Sequence, residues 1–454
     1  MVLSDEALHA IMVEAGSRMK IREHLSASGL LRVVRSGFEK IVDTRAAELV
    51  EISLADTLMS AFAMFSLKAP SLLAFDKRRQ TDDNLRTVYG IEQVPCDTQM
   101  RTTLDQVEPG EIKTLYTDVF RELQRGKELE KFVFMEGCYL LSLDGTGYFA
   151  SHKIHCVACL KKVNKKTGEV TYYHQMLGGA IVHPDLKEVI PLAPEPIIKQ
   201  DGQTKNDCER NAAKRFLEQL RRDHPHLPLI ITEDALSSNA PHIEELIKHD
   251  LHYILGVKEG DHAYLFEQVQ AAHQRQQTTE VEIKGSGVTH QFRFINQIGL
   301  NQSNPDLRVN FVEYWEVSKN GNSQHFSWIT DFRVTRANVF QIMRGGRARW
   351  KIENETFNTL KNQGYHFEHN FGHGEKNLSV VFALLMMLAF LVDQTQQVAC
   401  RLFQAVLSKI GCRTRMWEDI RSLFHTLPFD SMESIYRALL HGFKIEGLVI
   451  LDSG

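Results

Sequence analysis

The sequence predicts an α/β protein: a mixed-sheet core interrupted by a β-rich insertion, set between mainly α N-terminal and C-terminal parts. Three patterns predict it. Between Phe132 and about Val257, short apolar runs alternate with helical stretches. From about 258 to 340 a two-residue alternation takes over, and outside these limits helical spacing dominates. At 454 residues the chain exceeds one ordinary core. The expected parts are a helical N-terminal region (1–130), a first core part (131–257), the insertion (258–340), a second core part (341–395) and a helical C-terminal region (396–454).

In the first part, Asp82–Val88 reads as a short helix and Tyr89–Cys96 as a turn holding Gly90 and Pro95. Asp97 is the expected N-cap of a second helix through Val107. Thr98, Gln99, Arg101 and Thr102 then project from that helix as in a helix-turn-helix groove reader, or the pair is a structural helical hairpin. The core follows with strands at Tyr139–Asp144, Val170–Val182, Glu188–Leu192, Leu229–Asp234 and His252–Val257. Helices are expected at Asn206–Arg222 and near Pro241–His249. After a helix at His262–Gln274 come the alternating runs TTEVEIKG, THQFRFIN, LRVNFVEYWEVSK and HFSWITDFRV, punctuated by Gly285, Gly287 and Asn320-Gly321. Helices return at Arg347–Gln363, at the apolar run Leu378–Val392, and in a set ending near Phe443.

A formal charge of −4 excludes a globally basic nucleic-acid coat and leaves only local basic clefts. The start, MVLSDEALHAIMVEAGSRMK, lacks the pattern of a signal peptide. Seven cysteines without regular spacing fit a reducing cytoplasm. Leu378–Val392 spans 15 residues, short for a bilayer, so a buried helix and no membrane partner are expected.

Chemistry enters with Tyr139–Ser151, YLLSLDGTGYFAS, where an apolar run ends on Asp144 before Gly145, Thr146 and Gly147. A carboxylate closing a buried strand needs a partner or a cation. Asp234, ending LPLIITED, and Glu353, in RGGRARWKIENETFNTLK, are the candidate partners, 90 and 119 residues further on in turn. Three such acids suit a pair of hard divalent ions, magnesium or manganese, in phosphoryl displacement. Taken singly, each is also an ordinary capping or turn residue. Around Glu353, Arg344, Arg347, Arg349 and Lys351 give a local +4 without an acid, which needs phosphate or some other partner. Glu353 and Phe357 share a helix face.

A second cluster, KIHCVACLKKVNKKTGEVTYYH, carries a CxxC. Cys156, Cys159, His155 and His174 are the candidate set for structural zinc, against reduced loop thiols.

The segments SLDGTGYFAS, LIITEDALSSNAPHI and RARWKIENETFNTLKNQGYHFEHNFGHG resemble the three catalytic-motif regions of DDE transposases of bacterial insertion sequences, in the insertion-sequence-four-like group. The resemblance covers about 136 to 395. It implies a ribonuclease H-like core, with Asp144, Asp234 and Glu353 as the catalytic, metal-holding triad. It also implies DNA cleavage at inverted-repeat ends, joining of the freed 3′ hydroxyl to target DNA, a homodimer on double-stranded DNA, and a cytoplasmic, nucleoid-associated location. The family signature is Tyr, two residues, Arg, three residues, Glu, six residues, Lys. Arg349 and Glu353 keep that spacing, Gly346 stands at the Tyr position, and Lys361 lies one residue late, which makes Glu355 a weaker rival to Glu353. Arg349, Lys361, Arg347 and Lys351 are the expected phosphate contacts, and Arg101 and Gln99 the expected groove contacts. Trp315 and Trp328 are candidates for stacking on a flipped base, or for core. The competing functions are a transposase-derived DNA-binding protein and a metal-dependent nuclease.

Overall fold

The computed structural model describes residues 23–442 apart from 47, 49, 80–82, 200–207 and 286. The chain's first twenty-two residues, Asp82, the expected helix start at Asn206 and the expected end near Phe443 lie outside these. Two compact units form, Met1–Glu128 with Leu360–Gly454, and Leu129–Thr359.

The helical unit begins with α1 (Ala27–Phe38), α2 (Leu54–Ser66), α3 (Leu72–Asp76), α4 (Asn84–Thr87), α5 (Asp97–Leu104) and α6 (Pro109–Arg125). Ser26, Ser53 and Ser71 cap α1 to α3 by accepting a backbone N–H three residues on. Asp97 is not the cap of α5. That place falls to Cys96, and the Asp97 carboxylate instead accepts from Arg101 at 3.1 Å. With α4 a single turn and α5 burying Met100, Thr103 and Leu104, one face of α5 is committed to core.

The sheet unit is where the sequence patterns converge. Its elements are β1 (Val133–Met135), β2 (Cys138–Ser151), β3 (Leu160–Val163), β4 (Val170–Val182), β5 (Ile190–Pro191), β6 (Glu195–Ile197), α7 (Glu209–Asp223), β7 (Leu229–Glu233), α8 (Ala240–Lys248), β8 (His252–Gly256) and α9 (Ala263–Gln274). Then come β9 (Thr279–Lys284), β10 (Val288–Asn301), β11 (Asn304–Ser318), β12 (Ser323–Thr330) and α10 (Val339–Ala348), followed by a π turn, Ile352–Phe357, and a short α turn, Asn358–Asn362. Among the described residues the strands make one mixed sheet in the order β3-β4-β2-β7-β8-β12-β11-β10-β9. β2, β7 and β8 run parallel, β4 is antiparallel to β2, and β3 is antiparallel to β4. The β-rich segment therefore does not leave the sheet: β12 pairs antiparallel with β8, Trp328 opposite Gly256, and covers an edge that would otherwise expose unpaired backbone groups.

The helical unit resumes with α11 (Leu378–Ala399), α12 (Arg401–Ile410), α13 (Arg413–Thr426) and α14 (Met432–His441). The expected second core part, 341–395, is thus divided: its start belongs to the sheet unit, while α11 packs against α2 and α6. α11 is 22 residues long and apolar enough to cross a bilayer, but its apolar stretch is fully buried. Its single acid, Asp393, meets buried Lys68 and accepts from the Tyr365 hydroxyl at 2.5 Å, so the charge is paired inside the core. Met386 and Met387 are buried core residues.

Candidate active site

β2 was expected to end at Asp144, yet it continues seven residues further, pairing with β4 all the way to Ser151. What ends near Asp144 is its other neighbour. β7 pairs with β2 only over Tyr139–Ser142 (Ser142 opposite Thr232), and β7 stops at Glu233. Asp234 follows directly at the carboxyl end of β7 and lines the same cleft as Asp144. Asp234 turns into the following loop, and its side chain accepts the Leu236 N–H at 2.9 Å.

Glu353 reaches the same place by a different device. Gly178 and Gly179 sit next to each other on β4 and so face opposite sides of the sheet. On one side a Cβ at Gly179 would stand 2.4 Å from the Phe216 ring of α7, and on the other a Cβ at Gly178 would stand 2.8 Å from the Phe357 ring. Each glycine is thus a socket for a phenyl ring. Gly178 is the residue opposite Asp144, so the socket for Phe357 also brings the π turn carrying Glu353 to Asp144. The chain entering that turn is fastened separately, because the Ser142 hydroxyl donates to the Arg349 carbonyl at 3.0 Å. A π turn inside an otherwise α-helical run is a recurrent feature of functional sites.

Asp144, Asp234 and Glu353 line one cleft of about 650 Å³ together with Arg349, Trp350, Arg347 and Trp328. Glu355 is not part of it, which favours Glu353 over that rival. Burial pushes the Asp144 carboxyl above its usual range, Arg349 opposes this, and the charges of Asp234 and Glu353 raise it further. The three acids therefore sense one another. Such an all-oxygen donor set, its mutual repulsion offset only in part by Arg349, fits a hard divalent cation.

The basic residues are less free than their sequence neighbourhood suggests. α10 begins at Val339, so Arg347 lies in its last turn, where a cation is favourable. Acids absent from the local sequence arrive from other strands and loops. Arg344 meets Asp185 at 2.5 Å, Arg347 pairs with Glu316 and lies over Phe326, and Lys351 donates to the Leu186 carbonyl at 2.6 Å. Arg349, with 13% of its side chain exposed, holds Asp144 at 3.2 Å and stacks on Trp350. Lys361 pairs with Glu368 at 3.0 Å.

Trp328 is buried, whereas Trp315 is half-buried and stacks on His325 at 5.0 Å. Trp328 also explains the departure at the family's Tyr position. A Cβ on Gly346 would lie 2.3 Å from the Trp328 indole nitrogen, so the indole fills the space a side chain there would need.

Two acids were missed by sequence reasoning. Glu209, first residue of α7, lines an adjoining cleft with Asp144 and Asp234, and its carboxyl is raised by burial and by Asp144, Asp234 and Glu233. No local pattern marks it, since an acid in a helix's first turn is ordinary. Glu233 is buried and accepts from His242 at 2.5 Å. Burial works against the imidazolium, yet the Glu233 charge and hydrogen bond hold His242 above its ordinary value.

Of the candidate zinc set, Cys156, Cys159 and His174 converge, and His155 does not: it is exposed, with its ring 4.4 Å from that of Tyr172. Gln99 is half-buried and Arg101 exposed on α5.

No curated protein matches the chain in sequence. The family model described as the transposase DDE domain matches residues 141–391, more than half of the chain and all three motif regions. With those acids gathered in one cleft, this chain belongs to the DDE transposase family.

Proposed function

We propose that the protein cleaves DNA at the inverted-repeat ends of a mobile element and joins the freed 3′ hydroxyls to target DNA. The observation that carries this is the convergence of Asp144, Asp234 and Glu353 in one cleft with Arg349 against Asp144. Two magnesium or manganese ions, when bound, supply Lewis-acid activation of the attacking hydroxyl and stabilisation of the leaving oxygen. The three carboxylates hold them. Arg349, paired with Asp144, would also be placed to contact a DNA phosphate beside those carboxylates. Arg347 and Lys351 flank the scissile strand, Lys361 contacts phosphate, and Trp315, the more accessible of the two candidate indoles, stacks on an unpaired base with Trp328 behind it. Arg101 and Gln99 on α5 are further DNA contacts. Two ends must be paired, so the working form on DNA is a homodimer in the cytoplasm.

The test uses DNA from the flanks of the gene. Asp144→Asn, Asp234→Asn and Glu353→Gln are each expected to lower cleavage and joining at least about 10²-fold while DNA is still bound. Wild-type protein given pre-cleaved ends must yield joined product. Nicks without joined product would make it a nuclease, and full activity in any of the three variants would remove that residue from the site.

A further inference from the structure

A cluster unrelated to the carboxylates lies at the far end of the β2–β4 hairpin. Cys156 and Cys159 sit in the connection between β2 and β3, and His174 is on β4 opposite Phe149. All three are buried, and Phe149, Tyr172 and Ile198 pack around the cysteines. The two sulfurs are 3.8 Å apart, and His174 Nε2 is 3.3 Å from Cys156 Sγ and 3.4 Å from Cys159 Sγ. The Cys159 sulfur also accepts the Cys156 backbone N–H at 3.4 Å.

These separations are those of a ligand face. Thiolates bound to tetrahedral zinc at about 2.3 Å stand about 3.8 Å from each other, and about 3.5 Å from an imidazole nitrogen bound at about 2.0 Å. A disulfide would need about 2.05 Å between the sulfurs, so the cysteines are a reduced pair. We infer that Cys156, Cys159 and His174 bind a structural zinc ion that ties the β2–β3 connection to β4.

Binding replaces the two thiol protons, which pass to solvent, and takes the imidazole as its neutral form through Nε2. The fourth tetrahedral position goes to a ligand outside this triad. The ion has a plain mechanical use. Beyond Ser142, β2 has no β7 neighbour, and β4 is what holds Asp144–Ser151 in the sheet. A cross-link from the end of β2 to β4 fastens the strand that carries Asp144, without touching its chemistry.

The inference stands independently of the transposase reading, and its test reads metal content. Full-length protein, purified without chelator and passed through a desalting column, is expected to carry about one zinc per chain by elemental analysis. A mercurial that caps thiols should release it. Cys159→Ser and His174→Ala should lower the content to below about a tenth, whereas His155→Ala and Asp144→Asn should leave it unchanged. Should the first two fail to fold, wild-type protein stripped at low pH and refilled with cobalt must show the visible bands of tetrahedral thiolate coordination. Protein that purifies without zinc and gives no such bands would overturn the assignment, as would retention of zinc in folded Cys159→Ser and His174→Ala.

Discussion

Adding a single methyl at Gly178 should disarm the site from the far side of a strand. A Cβ there would lie 2.8 and 2.9 Å from Cζ and Cε1 of Phe357, where ordinary contact is 3.4–4 Å. The ring must retreat by about 0.6 Å or more, because β4 is fixed by β2 on one side and by β3, β5 and β6 on the other. Overpacking of that kind costs about 1–3 kcal/mol. Glu353 rides on the same π turn as Phe357, and a displacement near 1 Å at a reacting centre costs about 10²-fold in rate. Gly178→Ala is therefore expected to weaken manganese binding, measured by electron paramagnetic resonance, and to lower cleavage of end DNA by about 10²-fold, with circular dichroism unchanged. Gly178→Ala combined with Phe357→Leu should recover part of both, since the smaller side chain vacates the clash. If Gly178→Ala binds manganese and cleaves like the wild type while only its melting temperature falls, Phe357 does not place Glu353.

Three further outcomes follow from the same geometry. Because burial and the neighbouring acids raise the Asp144 carboxyl, protons compete with cations at a pH above the ordinary aspartate range. Metal affinity and cleavage should fall on acidification through that raised value, while the metal-free fold, whose stabilising proton is lost as pH rises through it, becomes relatively more stable; manganese titrations and thermal melts in a series of acidic to neutral buffers check both signs. His242→Ala leaves Glu233 buried without its charged partner, with the Ser237 hydroxyl still donating to it at 3.2 Å, at a cost of about 3 kcal/mol in urea unfolding. In the wild type the pair's contribution is present below the ordinary histidine value of 6.5 and is lost as pH rises through the higher folded value, so the difference from His242→Ala should shrink in alkaline buffer. Gly346→Ala should destabilise by about 1–3 kcal/mol and shift tryptophan fluorescence, because the new Cβ falls on the Trp328 indole; an unchanged spectrum would mean the indole lies elsewhere.

The sequence by itself determined the α/β class and most strand positions and singled out the three acids that line one cleft, since apolar period and turn residues are local signals and the motif segments carry their own spacing. It also placed Cys156, Cys159 and His174 in one candidate set. Only the tertiary structure decided what each acid and base faces. Asp144 lies within a strand rather than at its end because the strand that stops is β7, ninety residues away in sequence. The run from Arg344 to Lys351 looked unneutralised because Asp185, Glu316 and Asp144 come from other strands and loops. Glu209 reaches the adjoining cleft from the start of α7, and the β-rich segment continues the sheet by pairing with β8. Charge pairing and strand order depend on which segments become neighbours after folding, and a linear pattern carries the period of each element but not the identity of its partner.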